Sequence, residues 1–467
     1  MRSAQTRSRA SSWLPIVLAC VVVALASGVI AQRNAVVPQP RADRLPAPAT
    51  ASPKPSRPAP RPEGVMPGVP AGFLVTSYAE LPSPRMMVYA PNGDLFVSSP
   101  GTNTITVLRD ANSDGVFEAR GTYAQGGAPP ARGGGPPPAG ARGGARGAGG
   151  PPPGFGAPPS ILGASAPACA PPPEFVERGP GTLAAPFGLA FHDGYLYVGN
   201  TASLVRYKYA GGDMQAQGEP EKLLNLPAGG HSTRNVLFNR AGTKMYIAVG
   251  SQSNNNAGED CRRAAILEFN PDGTGYRVYA SGIRNPVGLT LQPGTDTIWT
   301  AMNERDNLGD DLVPDYATSV RDGGFYGWPY SYIGKNYDPR YVGAFPDLVN
   351  RTLVPDVLLP AHAAALGITF YTGTQFPQRY RNGGFVALHG SWNRSVASGY
   401  KVVFFPMNNG KPGPIEDFLT GFLATDGSGE TPIAQWGRPV GVTVARDGAL
   451  LVSDDSGNRI WKISAAR

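Results

Sequence analysis

Two polar runs stand out as capable of chemistry. Gly230-His231-Ser232-Thr233-Arg234-Asn235 carries a histidine, the side chain that exchanges protons near neutrality. About fifty residues on, Ser281-Gly282-Ile283-Arg284-Asn285-Pro286 carries an Arg-Asn pair, donors suited to an oxygen on which negative charge develops. Two further stretches are rich in hard oxygen atoms of the kind calcium takes. One is Asn303-Glu304-Arg305-Asp306-Asn307-Leu308-Gly309-Asp310-Asp311. The other is Asp110-x-Asn112-x-Asp114-Gly115-x-x-Glu118, where Asp110, Asn112 and Asp114 could wrap a structural calcium; Gly121 stands where a full EF-hand loop has its glutamate. No G-x-S-x-G, no G-x-x-x-x-G-K-[ST], no H-E-x-x-H and no C-x-x-C-H occurs, so those nucleophile, nucleotide, zinc and covalent-haem chemistries are unsupported.

The elements that must position these residues repeat. A turn of Gly, Asn or Asp followed by an apolar strand recurs at Asn92-Gly93-Asp94, Asp193-Gly194, Gly242-Thr243, Gly294-Thr295, Asn382-Gly383 and Asp447-Gly448. Six copies of one hairpin phrase, spaced about fifty residues apart where undisturbed, predict an all-β fold: a six-bladed β-propeller over residues 72–467. Phe73–Tyr78 and Arg459–Ile463 read as strands that close the ring within one blade. The catalytic candidates then fall in loops at the blade ends.

Arg2, Arg7 and Arg9 precede a weakly polar stretch from Trp13 to Ala31, the layout of an export signal over residues 1–31. Cleavage fits after Ala26 or after Ala31, and retention would leave the protein at a membrane face. Residues 32–71 are rich in Pro and Ala and predict a disordered tether; residues 124–173 predict a disordered loop insertion. These segments also carry the basic surplus. The formal charge of +7 is matched by nine Lys+Arg against two acids before residue 72, and residues 124–173 add three arginines. The folded remainder is mildly acidic, which argues against a nucleic-acid partner. Beyond the signal only Cys169 and Cys261 remain, and a disulfide between them is one of two open states.

The His231 run followed by Gly282-Ile283-Arg284-Asn285-Pro286-Val287-Gly288 resembles the glucose/sorbosone dehydrogenase family, from about Gly72 to the C-terminus. The resemblance implies a periplasmic or extracellular enzyme that oxidises a sugar with pyrroloquinoline quinone (PQQ). It assigns the general base to His231 and the donors to the quinone carbonyl to Arg284 and Asn285. The family's usual carboxylate partner for the base is replaced here by Ser251. Asp310 and Asp311, followed by Gly323-Gly324-Phe325-Tyr326-Gly327-Trp328-Pro329, are similar to its calcium-holding loop. PQQ carries three carboxylates, so Arg394, Lys401 and Arg438 are the anchor candidates, with His362 and His389 behind them. The implied partners are a sugar and an external electron acceptor, a quinone or a cytochrome. Two rival readings stand beside it: a calcium-dependent lactonase-like hydrolase, which explains the calcium cue but not the clustered arginines and Lys401, and a propeller that only binds.

Overall fold

The computed structural model describes residues 39–128, 162–165, 178–424 and 434–466. The predicted export signal, most of the 124–173 insertion and Cys169 lie outside these residues. Cys261 is disulfide-bonded. Among the described residues the chain is almost wholly strand and loop, with one short α-helix, Pro346–Asn350, and one 3-10 turn, Gln378–Tyr380.

Six sheets of at least four strands carry the fold, and two of them gain a short extra edge strand. Blade 1 begins with Met87–Tyr89, blade 2 with Pro186–His192, blade 3 with Val236–Phe238, blade 4 with Pro286–Leu291, blade 5 with Ala365–Phe370 and blade 6 with Pro439–Val444. Each recurrent turn joins the first strand of a blade to the second. Its sharp reversal is met by left-handed residues such as Gly93 (φ 100°) and Asn382 (φ 58°). Five of the six second strands are buried along their whole length, as in Met245–Val249 and Gly384–Leu388. Both faces of such a strand meet a neighbouring sheet, so the sequence reads as an apolar run rather than an alternation.

That burial is organised as six cores, one between each pair of neighbours. Phe96 and Ile105 of blade 1 meet Leu196 and Val198 of blade 2. Tyr197 meets Ile247, Ile266 meets Ile298, Trp299 meets Val386 and Phe385 meets Trp461. Leu451 of blade 6 then meets Val97 of blade 1, which closes the ring. No sheet closes on itself; closure comes from packing sheet against sheet. The inner strands approach closely enough that a Cβ on Gly288 would stand 2.4 Å from the Leu366 carbonyl, and one on Gly441 would stand 2.3 Å from that of Arg85.

Blade 6 takes its outermost strand from the other end of the chain. Phe73–Glu80 pairs antiparallel with Arg459–Ala465, as the sequence predicts. The stretch before it departs from the expected tether. Between Gln39 and Gly72 the chain lies along blades 4, 5 and 6: Ala49 N donates to Leu308 O (2.9 Å), Lys54 N to Arg394 O (3.2 Å), and Ser56 Oγ shares a 2.6 Å hydrogen bond with Tyr400. Arg57–Pro58 adds as a parallel strand to Ala434–Gln435, and Val69 is buried. Composition misleads here because prolines pre-order an extended chain, so laying it on a ready-made edge costs little entropy. The insertion also begins later than its composition suggests, since Ala124 is buried in the last strand of blade 1.

Candidate active site

Strand direction decides which loops share an end. The inner strand of each blade runs away from the loop before it and the second strand returns, so residues before inner strands and after second strands lie together. His231, Ser251, Asn285, Asn303, His362, His389 and Arg438 all fall there. Met86, Val287, Leu366 and Val440 meet as an apolar plug formed by inner strands of four blades. Arg85, Asn285 and Arg438 stand one or two residues before plug residues, hence a few ångströms nearer the mouth.

His231 is held by the turn after the second strand of blade 3. Its Nδ1 lies 2.9 Å from the Ser251 carbonyl oxygen and 3.1 Å from Ser251 Oγ, whose own proton goes to Ser253 O at 2.6 Å. Both Ser251 oxygens therefore accept, Nδ1 carries the proton, and Nε2 keeps a bare lone pair. Burial, and then the positive charge of Arg284, push the imidazole down to about 3, so it stays neutral at ordinary pH. Ser251 thus replaces a carboxylate with a backbone carbonyl: it fixes the tautomer and raises the basicity by less than burial and Arg284 lower it. Arg234, fully buried, steadies the loop by donating to the carbonyls of His231 (2.7 Å), Thr233 (2.8 Å) and Pro227 (2.7 Å).

Arg284 and Asn285 are next to this histidine; Gly250 packs between His231 and Asn285, and a Cβ there would meet both. Arg284 spends its fork on protein groups: Asn254 O (2.9 Å), Glu304 O (2.7 Å), Asn254 Oδ1 (3.0 Å) and Asp306 Oδ2 (3.3 Å). Trp328 of the Gly-Gly-x-Tyr-Gly-Trp-Pro phrase donates to the same Asn254 carbonyl at 2.8 Å. Asn285 Nδ2 donates to Asn303 Oδ1 (3.1 Å), while its Oδ1 is buried without a partner. The expected free donors are therefore engaged; what the pair presents is a fixed positive charge and one unsatisfied amide oxygen.

Asp306 is the hub that the sequence reading passed over. It receives Arg284, Asn393 Nδ2 at 3.2 Å and His362 Nδ1 at 3.6 Å. Burial would raise its carboxyl, but His362, Arg284 and Asn393 together hold it below the usual range. His362 is raised in turn, because Asp306 outweighs burial, and its Nε2 donates to Gly309 O at 2.8 Å. Asn393 is fully buried with its Oδ1 unpaired.

A second charged group joins blades 5, 6 and 1. Arg85 pairs with Asp455 (2.6 Å), which also binds His389 Nε2 (2.9 Å). Burial and then Arg438 push His389 down to about 4. Arg438 donates from its guanidinium to the carbonyls of His389 (3.0 Å) and Gly390 (2.8 Å), and from its backbone N to Asp454 Oδ1 (2.7 Å). Two guanidinium groups thus stand with Asp455 and Asp454, and the fork of Arg438, turned to carbonyl oxygens, keeps a charge suited to an anion.

The other anchor candidates are already paired: Arg394 with Asp311 (2.6 Å) and Lys401 with Asp417 (2.6 Å). Asp310 turns to Ser395, accepting from its N (3.1 Å) and its hydroxyl. Asp310 and Asp311 thus turn to different partners, and a cation beside Asp311 would face Arg394. The carboxylates of Asp110, Asp114 and Glu118 do converge, within 4.8 Å of one another, and Asn112 Oδ1 accepts from Asp114 N at 2.8 Å. That hairpin follows a third strand and so lies at the opposite end of the ring.

Arg85 could have been found by position, since Arg85, Arg234, Arg284 and Arg438 all stand just before an inner strand. Asp306 and Asn393 carried no such signal, being joined only by the ring.

The family described as Glucose / Sorbosone dehydrogenase matches residues 198–391, and one described as TrAA12-like matches residues 349–466. An uncharacterized protein of Borreliella burgdorferi is 31% identical over 60% of this chain and 76% of its own length. An aldose sugar dehydrogenase of Escherichia coli is 26% identical over 33% of this chain and 44% of its own length. Among solved structures, the holo form of the pyranose dehydrogenase PQQ domain of Coprinopsis cinerea superposes with a TM-score of 0.64 at 21% identity, covering 88% of this chain and 100% of that domain. Ring, motif and matches agree: the chain belongs to the glucose/sorbosone dehydrogenase family.

Proposed function

We propose that the protein is a PQQ-dependent oxidoreductase acting on an aldose or sugar aldehyde of the glucose or sorbosone type. The observation that carries this is the state of His231: neutral, with its Nε2 lone pair free, beside the fixed charge of Arg284. A base of that kind accepts the proton of a sugar hydroxyl, while Arg284 favours the oxygen on which negative charge grows. PQQ, once bound, supplies the two-electron acceptor for the C–H hydride. Arg438 and Arg85 would hold its carboxylates, because the guanidinium of Arg438 is turned to carbonyl oxygens and not to a carboxylate. The unpaired Oδ1 atoms of Asn285 and Asn393 leave polar capacity at the same end for a polar ligand. Electrons then leave to a separate quinone or cytochrome, and the basic, apolar N-terminus fits work outside the cytoplasm. A lactonase-like hydrolase would want carboxylates converging at this mouth, whereas among the described residues the three converging carboxylates lie at the other end.

The test is to add PQQ to the purified protein, follow the visible absorption change, and then measure reduction of an artificial acceptor with a panel of aldoses. Saturable binding and PQQ-dependent turnover are expected. Absence of PQQ binding would overturn the reading.

A further inference from the structure

The chain has six tryptophans. Trp13 lies outside the described residues; Trp299, Trp328, Trp436 and Trp461 are at most 5% exposed, whereas Trp392 is 44% exposed. An indole is usually withdrawn from water because of its apolar area, so exposure on a rigid loop needs a reason. This loop is rigid. Ser391 N donates to Ser398 O (2.9 Å), Ser398 N to Ser391 Oγ (2.9 Å) and Tyr400 Oη to Ser391 O (2.6 Å). On the other side Arg394 pairs with Asp311, and Lys54 N donates to Arg394 O. Between these staples Asn393 is buried against Asp306, and Trp392 is left in solvent with Val396, itself 53% exposed.

We infer that Trp392 is a stacking platform for a sugar ring adjoining the one oxidised, so that the enzyme favours di- or oligosaccharides over the free monosaccharide. The inference rests on the sugar-dehydrogenase reading. Its physical basis is the match between an exposed π face, negative at its centre, and the C–H face of a pyranose, framed by polar groups such as Arg394, Ser395 and Asp311 that suit hydroxyls. Trp392 borders the catalytic group instead of lining it: Asn393 and Asp306 stand between it and Arg284. A ring beyond the reacting one is therefore the fitting occupant.

The test compares kcat/KM for glucose and for its β-1,4 and α-1,4 disaccharides in the parent, Trp392→Ala and Trp392→Phe. The disaccharide-to-monosaccharide ratio should fall by about two- to ten-fold in Trp392→Ala, largely through KM, and recover in part in Trp392→Phe. Iodide quenching gives a readout that needs no turnover: a disaccharide should shield tryptophan fluorescence in the parent and not in Trp392→Phe. An unchanged ratio with no shielding overturns the inference, as does an unchanged ratio with slower reduction of a cytochrome acceptor, which would make the loop a docking surface for a redox protein. Failure of every sugar to turn over in the parent defeats the proposed function, and the shielding result still decides the platform.

Discussion

His231 and His362 sit at the same end of the ring and are held in opposite protonation states. His231 gives its Nδ1 proton to a backbone carbonyl, and its strongest charged neighbour is Arg284, so burial and like charge both favour the neutral ring. His362 is also buried, yet the Asp306 carboxylate at 3.6 Å overcomes burial and favours the charged ring. Asp306 favours the charged form of both rings, but at His231 burial and Arg284 outweigh it, whereas at His362 it outweighs burial. The lesson is that a base and a structural cation can be made from the same side chain by the choice of carbonyl or carboxylate as its partner.

The harshest way to break this comparison is to remove the base. His231→Ala should lower kcat by about 10²–10⁴-fold, with PQQ affinity retained because Arg85 and Arg438 lie across the ring. Saturating PQQ and several aldoses make the measurement clean. Parent-like turnover would move the base elsewhere.

Asp306→Asn should cost less, on the order of ten- to a hundred-fold in kcat. The amide keeps the shape but removes the charge shared by Arg284 and His362. A purely structural role would change melting alone. The positioning role also predicts that His362, followed by NMR, titrates lower in the variant than in the parent. An unchanged His362 titration would show that Asp306 is not its governing charge.

Much of this arrangement was legible in the sequence, and the misses have a common cause. The six turn phrases located the blades because each needs a left-handed residue at a fixed place, as at Gly93 and Asn382. His231, Arg284 and Asn285 were found because each lies within a few residues of an inner strand. Asp306 and Asn393 were invisible because 87 residues separate partners that only ring packing unites. Arg85 lacks the Pro-x-Gly that flags Arg284 and Arg438. Asp310 and Asp311 were legible by residue type alone, while their partners Ser395 and Arg394 come from the next blade and were not.

The smallest expected effect sharpens the comparison in stability. His231 in the folded protein sits at about 3, against about 6.5 for an unfolded chain. Between those values the unfolded state binds the proton more readily, so the contribution of His231 is full above about pH 6.5 and is lost as the pH falls. His389, held at about 4, behaves alike, whereas His362 is raised and contributes in the opposite sense. Asp315 and Asp454, raised by burial, also gain stability on acidification, so the parent's own curve mixes these signs. The informative quantity is the difference between parent and His231→Ala. Moving from pH 7.5 to pH 5, the parent should lose on the order of a few degrees more in Tm than the variant, because only the parent carries His231, while His389 is common to both and cancels. The same comparison with His362→Gln should have the opposite sign. Equal acid sensitivity in all three proteins would mean that the two histidines share one protonation preference, and the contrast between the two corners would fall.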